Sequence, residues 1–202
     1  MINITYHGHS CFEVNFDGYT VILDPYTGVP GYPELSLQAN EVFCSHNHRD
    51  HNYTEGVTIL SKKRPNELKI TEIESFHDDQ KGKLRGPNTI RILEYQGTSI
   101  MHCGDIGCMP EEEQIQKMMG MDVVMIPVGG YYTMEPDDCK KFLDRINPRI
   151  IIPMHYRGND FGYDVIKTVE DFTNNYQDII RLSTAKFNVD AQNLEGKVLI
   201  LK

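Results

Sequence analysis

The hexapeptide His46-Asn47-His48-Arg49-Asp50-His51 carries more chemical information than any other stretch of this chain. It follows directly on a short apolar segment that we predict to be a β-strand. In an extended chain His46 and His48 point to the same side, because side chains alternate with a period of two. A turn after them brings Asp50 and His51 toward the same point. Three imidazoles and one carboxylate within six residues predict a metal site, against the alternative of a solvated polar loop.

Three more candidate ligands occur where a predicted strand runs into a loop. They are His77, Asp105 and His155. Each has an ordinary alternative: His77 as a hairpin residue, Asp105 as a turn residue before glycine, and His155 as a hydrogen-bonded histidine at a sheet edge. Their shared placement at strand ends favours one site, because functional residues commonly sit on loops that a rigid scaffold positions.

The predicted elements change character along the chain. The first part is rich in strands, at residues 2–6, 11–16, 19–24, 42–44, 68–76, 89–94 and 98–103. The second part alternates strands at residues 122–128, 149–154 and 197–201 with helices that begin at Pro110, span residues 136–146 and span residues 163–176. Strands followed by alternating helices and strands predict two sheets packed face to face with helices outside.

Taken together, these motifs resemble the metallo-β-lactamase superfamily, and within it the ascorbate-6-phosphate lactonase-like branch. Beyond the histidine cluster, the resemblance rests on Thr5-Tyr6-His7-Gly8-His9-Ser10, Ile22-Leu23-Asp24-Pro25, His102-Cys103-Gly104-Asp105 and Ile152-Pro153-Met154-His155-Tyr156. It covers the chain from the first strand to His155. It implies an α/β (α+β) fold, a four-layer αββα metallo-β-lactamase-like sandwich, formed as a single domain over residues 1–202 with the metals at one edge between the sheets.

The resemblance also implies a role for each ligand. It makes His46, His48 and His77 the ligands of a first Zn²⁺ and Asp50, His51 and His155 those of a second, with Asp105 between the two ions and Asp24 orienting ligands from behind. His48 stands where oxygen-reducing di-iron members carry a glutamate, which favours zinc and hydrolysis, with Mn²⁺ or Fe²⁺ as alternatives.

Four other candidates carry less specific signals. We expect His9 to contact substrate or transition state, the alternative being a turn histidine that bonds backbone. We expect His102 to support the ligands or to pack in the core. Arg157 is the expected ligand for a substrate carboxylate or phosphate, and the basic segment with Lys81, Lys83 and Arg85 is either a second contact or a solvated loop.

Composition limits the functions that this site can serve. The chain has 202 residues, 40% hydrophobic and 24% charged, with a formal net charge of −9. Such acidity argues against binding to nucleic acid or to anionic membranes. No apolar run reaches the roughly 18 residues of a membrane span. Five unpatterned cysteines and the lack of a signal-like N-terminus predict reduced thiols in the cytoplasm.

The expected function is therefore metal-dependent hydrolysis of a small, anionic ester, lactone or phosphodiester by a metal-bound hydroxide. In this scheme Asp50 and Asp105 belong to the catalytic centre together with His9. Two alternatives stay open: a phosphodiesterase or nuclease on the same scaffold, and a metal-binding module without catalysis. The sequence names neither the substrate nor the oligomeric state.

Overall fold

Short apolar segments separated by turn residues form the strands of the first half of the chain. The computed structural model describes residues 1–189 and 197–201. The strands of this half are β1 (Ile2–Gly8), β2 (Cys11–Phe16), β3 (Tyr19–Leu23), β4 (Leu37–Ala39), β5 (Glu41–Phe43), β6 (Val57–Ile59), β7 (Lys69–Phe76) and β8 (Pro87–Tyr95), with a 3₁₀ turn at Thr54–Gly56.

The second half alternates helices and strands, as predicted. Its elements are β9 (Thr98–His102), α1 (Glu112–Lys117), β10 (Val123–Pro127), α2 (Pro136–Ile146), β11 (Ile150–Met154), α3 (Val169–Thr173), β12 (Ile179–Arg181), β13 (Lys186–Asn188) and β14 (Lys197–Ile200). The longest described helix, α2, has 11 residues, so no described helix is long and apolar enough to cross a membrane.

Two large sheets organise these strands. The first has the order β13-β1-β2-β3-β5, in which β1, β2 and β3 pair antiparallel and β5 joins β3 in parallel. The second has the order β12-β14-β11-β10-β9-β8-β7. Its strands from β12 to β9 are parallel and those from β9 to β7 antiparallel. The carboxyl ends of β9, β10 and β11 consequently meet at one edge.

The sheets pack face to face around one apolar core. Every residue of β10 is buried, because Val123 and Met125 face the first sheet while Val124 and Ile126 face the helices. Phe142 of α2 and Phe172 of α3 belong to that outer cluster. The predicted α+β sandwich is confirmed. The outer face of the first sheet is covered by the β4–β6 pair and by loop residues, which share a separate apolar cluster.

The helix predicted over residues 163–176 is wrong at both ends, since α3 spans only Val169–Thr173. Thr168 and Asp171 form a capping box that starts the helix late. Before it, the Lys167 N–H donates to the Gly129 carbonyl at 2.7 Å, and the Lys167 carbonyl accepts from the Arg157 N–H at 3.0 Å. These backbone groups are used by neighbouring segments and cannot form helical bonds. The short strands β4, β6, β12 and β13 were not predicted.

Candidate metal centre

The strand ends bring the predicted ligands to one edge of the sandwich. Asp105 follows β9, His155 follows β11 and His77 follows β7. The segment 46–51 leaves the first sheet after β5 at the same edge. Residues more than a hundred positions apart in sequence therefore meet, as the position of each at a strand end predicted.

Asp105 lies at the middle of this cluster. Its Oδ2 atom is 3.1 Å from His51 Nε2, 3.2 Å from His77 Nε2 and 3.2 Å from His155 Nε2. His46 Nε2 lies 3.9 Å away. The Asp105 side chain is 2% exposed. This one carboxylate oxygen thus faces imidazole nitrogens of the segment 46–51, of His77 and of His155.

Two sets of side chains could each hold a cation around this carboxylate. One set is His46, His48 and His77, and the other is His9, Asp50, His51 and His155; within each set the ligand atoms all lie within 4.8 Å of one another. The division equals the one that the family resemblance implied, with His9 added to the second set.

Several buried polar atoms of the cluster have no hydrogen-bond partner in the described part of the chain. They include His46 Nε2, His51 Nε2, both ring nitrogens of His9 and Asp105 Oδ1. Leaving a buried polar atom unpaired costs about 1–3 kcal/mol, so such groups are rare without a reason. Imidazole nitrogens and carboxylate oxygens are zinc ligands, and the residues present therefore fit a bound transition-metal pair.

A network behind the cluster orients histidines of both sets. Asp24 Oδ1 accepts the Ser45 N–H at 2.6 Å, and Asp24 Oδ2 accepts the Ser45 hydroxyl at 2.6 Å and His51 Nδ1 at 2.8 Å. Because the Ser45 hydroxyl donates to Asp24, its oxygen accepts from His46 Nδ1, 2.9 Å away. The Tyr132 carbonyl similarly accepts from His77 Nδ1 at 3.1 Å. Each of these histidines is left with Nε2 free for a metal.

Burial and neighbouring charges set the protonation states of the cluster. Burial lowers the pKa of His46 to about 3 and that of His9 to about 4, so both imidazoles are neutral at neutral pH. Burial opposes the charge on Asp24, but neighbouring His102 and the bond from His51 outweigh it and lower the pKa to about 2. Burial also opposes the Asp105 charge, yet His155 and His51 hold its pKa well below the ordinary range.

His51 shows the opposite shift. Burial lowers its pKa, but the Asp105 carboxylate, 3.1 Å from Nε2, and the Asp24 carboxylate that bonds Nδ1 raise it well above the ordinary value. Without a cation beside Asp105, the two carboxylates therefore keep His51 protonated. A bound metal ion would replace the positive charge of this proton, because a metal-binding imidazole must be neutral.

The backbone at this edge is held in a rarely populated conformation. His9, Asp24 and His155 have φ values of 53°, 47° and 52°, in the left-handed region that non-glycine residues seldom adopt. Such positions cost of order 1–3 kcal/mol and persist where surrounding contacts over-determine them, commonly at functional sites. Gly104, just before Asp105, has a φ of 54°, and a Cβ there would lie 2.3 Å from Asn88 Oδ1.

A cavity of about 280 Å³ opens onto the cluster. Its lining side chains are His48, Asp50, His77, Arg85, Asp105, Tyr132, His155 and Tyr163. Sequence reasoning missed the two tyrosines. Tyr163 donates to Asp50 Oδ2 at 3.3 Å, and burial, the nearby Asp50 charge and this bond raise the pKa of its hydroxyl, which stays protonated. Tyr132 lies after Gly129-Gly130, in the loop that follows β10. Its place after a strand end was the sequence signal that could have marked it as a site residue.

The predicted residues outside this cavity lining include His9, His102 and Arg157. His9 is fully buried behind it, with Nε2 3.4 Å from Asp50 Oδ2 and its ring 4.2 Å from that of His155. His102 donates from Nε2 to the Ser10 carbonyl at 2.9 Å and accepts the Gly104 N–H at Nδ1, as a supporting residue would. Arg157 donates Nε to the Ile166 carbonyl at 2.8 Å. This placement corrects the expectation that Arg157 faces the substrate, because its guanidinium braces a neighbouring loop.

Comparison with known sequences agrees with this geometry. A family model described as Beta-lactamase superfamily domain matches residues 3–155. A UPF0173 metal-dependent hydrolase of Caldivirga maquilingensis is 29% identical, with 74% of this chain and 79% of the relative covered. Another, of Hyperthermus butylicus, is 24% identical over 96% of this chain and 94% of the relative.

Solved structures give the same result. A proposed Zn-dependent hydrolase of the metallo-β-lactamase superfamily from Thermotoga maritima superposes with a TM-score of 0.80 at 29% identity, covering 100% of this chain and 98% of that one. A metallo hydrolase from Ignicoccus hospitalis, at 20% identity and a TM-score of 0.69, shares the fold and covers 100% of this chain and 95% of that one. No comparison singles out the lactonase-like branch, which stays a prediction.

Proposed function

The chain belongs to the beta-lactamase superfamily, and from this premise we propose that its His/Asp cluster binds two zinc ions and hydrolyses a small anionic ester, lactone or phosphodiester. The chain is a metal-dependent hydrolase, the activity for which its curated relatives are named. One observation carries the finer proposal. The Nε2 atoms of three histidines lie within 3.2 Å of a single oxygen of the buried Asp105.

The donor sets assign a ligand role to each residue of the cluster. His46, His48 and His77 would hold one ion, and Asp50, His51 and His155 the other, with Asp105 between them. When bound, zinc supplies a Lewis acid and lowers the pKa of a coordinated water from 15.7 to about 7. The same nitrogen and oxygen donors could also bind Mn²⁺ or Fe²⁺.

The remaining residues position this centre. Asp24 fixes the ring of His51 directly and that of His46 through Ser45. His9 packs against His155, lies 3.4 Å from Asp50 Oδ2 and is absent from the cavity lining, which supports a positioning role over a substrate contact. Tyr163 donates its hydroxyl to the same carboxylate and lines the cavity.

Charge and size define the substrate class. Two divalent ions outweigh the carboxylates of Asp50 and Asp105, so the loaded cavity attracts an anion although the whole chain has a net charge of −9. The cavity volume of about 280 Å³ lies just below the roughly 300–1,000 Å³ of small-molecule sites. These features support a small molecule over nucleic acid as the partner. All five cysteines are free thiols, which supports a cytoplasmic location.

A substrate panel tests the proposal. Metal-stripped protein, reloaded with zinc, manganese or iron, is assayed on 4-nitrophenyl acetate, dihydrocoumarin and bis(4-nitrophenyl) phosphate, which represent esters, lactones and phosphodiesters. We expect turnover that a chelator abolishes and zinc restores. Turnover that survives complete metal removal would contradict the proposal, and turnover of the phosphodiester alone would assign the protein to the phosphodiesterase alternative.

A further inference from the structure

The segment that follows the ligand His77 is held rigidly by one carboxylate. Asp78 is 2% exposed and accepts four backbone N–H bonds. The donors are Gln80 at 2.8 Å, Gly82 at 2.9 Å, Leu84 at 2.9 Å and Arg85 at 2.8 Å. The loop is therefore pre-organised up to the backbone of Arg85, and a ligand that binds there loses little free energy in ordering it.

The guanidinium of Arg85 lies at the wall of the metal cavity. Its central carbon is 5.7 Å from the ring centroid of Tyr132, a cation–π distance. The carbonyl of the same Tyr132 accepts the bond that orients His77. Tyr132 thus fixes a candidate metal ligand through its backbone and supports a cation through its ring. Of the described residues that line the cavity, Arg85 is the only arginine or lysine.

Arg85 has no carboxylate partner among the described residues, whereas five other arginines of the chain each have one. Arg91 pairs with Glu72, Arg145 with Glu112 and Arg181 with Glu170. Arg157, the arginine first expected to bind substrate, donates its Nε to a backbone carbonyl. A half-buried guanidinium beside a cationic centre, stacked on a ring and unpaired, has its N–H edges available for an external oxyanion.

We propose that Arg85 binds a carboxylate or phosphate group that the substrate carries in addition to the bond that is hydrolysed. This inference deepens the proposed function and rests on the metal cavity being the substrate site. The substrate is then a small molecule with the bond to be hydrolysed at the metals and a carboxylate or phosphate at Arg85. A neighbouring cavity of about 460 Å³ shares Arg85 and Tyr132 and leaves room beyond this contact.

Calorimetric titration of the zinc-loaded protein tests the inference without turnover. Each dicarboxylate is compared with the monocarboxylate of equal length: succinate with butyrate, glutarate with pentanoate, and adipate with hexanoate. One carboxylate occupies the metals in both members of a pair, so the second reports on Arg85. 3-Phosphonopropionate, titrated beside succinate, distinguishes a phosphate-type from a carboxylate preference.

We expect at least one dicarboxylate to bind more tightly than its monocarboxylate partner, and Arg85→Ala to reduce that preference by about ten- to hundredfold, the usual worth of a charged hydrogen bond. Arg85→Lys restores part of it, because the charge remains while the planar donor fork is lost. The matched control is Lys83→Ala, which removes one exposed positive charge from the same loop outside the cavity lining and leaves the preference unchanged.

The outcomes separate this inference from the proposed function. Absence of any dicarboxylate preference in the wild type, or a preference that survives Arg85→Ala at unchanged zinc content, overturns the role of Arg85. An Arg85-dependent preference in a protein that hydrolyses no member of the substrate panel supports the binding role and overturns the hydrolytic one. Turnover by a protein that shows no dicarboxylate preference supports the hydrolytic function and overturns the binding role of Arg85.

Discussion

Replacing Asp24 by asparagine weakens the support of both candidate ligand sets while leaving every residue of the two sets unchanged. The carboxylate accepts three donors: the Ser45 N–H and hydroxyl, each at 2.6 Å, and His51 Nδ1 at 2.8 Å. The Ser45 hydroxyl in turn receives His46 Nδ1. The amide of the Asp24→Asn variant would have a single acceptor oxygen and an NH₂ group that faces donors, so at least one of the three bonds is lost.

The magnitude follows from these contacts. A hydrogen bond to a charged group contributes about 1.5–3 kcal/mol, and each 1.4 kcal/mol is a factor of about ten in a binding constant. Loss of one such bond to a ligand histidine weakens zinc binding by about ten- to hundredfold, the effect usual for partners of this kind. Because Asp24 reaches His51 directly and His46 through Ser45, we expect both zinc sites to weaken.

Competition titration with a chromophoric zinc chelator measures this effect directly. Asp122→Asn is the matched control, since Asp122 accepts the Ser99 N–H at 2.9 Å and the Ser99 hydroxyl at 3.1 Å in the same way, at the opposite end of β9 and β10. The control is expected to lower the free energy of unfolding and to leave the zinc affinity unchanged. Equal zinc affinity in wild type and Asp24→Asn would refute the orienting role of Asp24.

Three further predictions concern single residues. Asp105→Ala is expected to lose hydrolysis together with bound zinc, measured by metal analysis; lost hydrolysis with full zinc content would contradict a position between the ions. Phe142→Ala, at a fully buried position, is expected to lower the free energy of unfolding in urea by about 3–5 kcal/mol, and a loss of less than about 1 kcal/mol would contradict the packing of α2. Burial raises the pKa of Asp78, but its four backbone bonds outweigh this and lower it. The ionised Asp78 carboxylate therefore stabilises the fold fully above about pH 3.9, and this stabilisation is lost as the pH falls through the lowered pKa. We expect the difference in unfolding free energy between wild type and Asp78→Asn to narrow in acid. A difference that does not change with pH would contradict stabilisation by the ionised carboxylate.

The convergence of the candidate metal ligands could be predicted from sequence because their signal is local or tied to strand ends. The clustering of His46, His48 and His51 within six residues is a local signal, although these residues lie in bends and a turn after β5 and not in the extended segment that we predicted. The apolar runs before Asp105 and His155 mark strands whose carboxyl ends share an edge. The role of Asp24 followed from the family resemblance alone, since its contact with His51 spans 27 positions.

Sequence analysis named Arg85 with Lys81 and Lys83 as a candidate contact, but it could not predict which of the three lines the cavity or what that side chain touches. Arg85 and Tyr132 meet through a loop whose shape depends on four bonds to one carboxylate. The amphipathic pattern around Tyr163 predicts a helix, yet the backbone groups of the following residues are bonded to neighbouring segments. The closeness of Arg157 to His155 in sequence predicts a substrate contact, although its side chain turns to Ile166. Loop contacts, unlike strand ends, leave no periodic pattern.

Anomalous diffraction at the zinc edge, from crystals of the zinc-loaded protein, would locate the bound metals. We expect two peaks per chain, one bound by His46, His48 and His77 and the other by Asp50, His51 and His155, with the Asp105 carboxylate between them. A single peak, or zinc bound away from Asp105, would contradict the dinuclear centre.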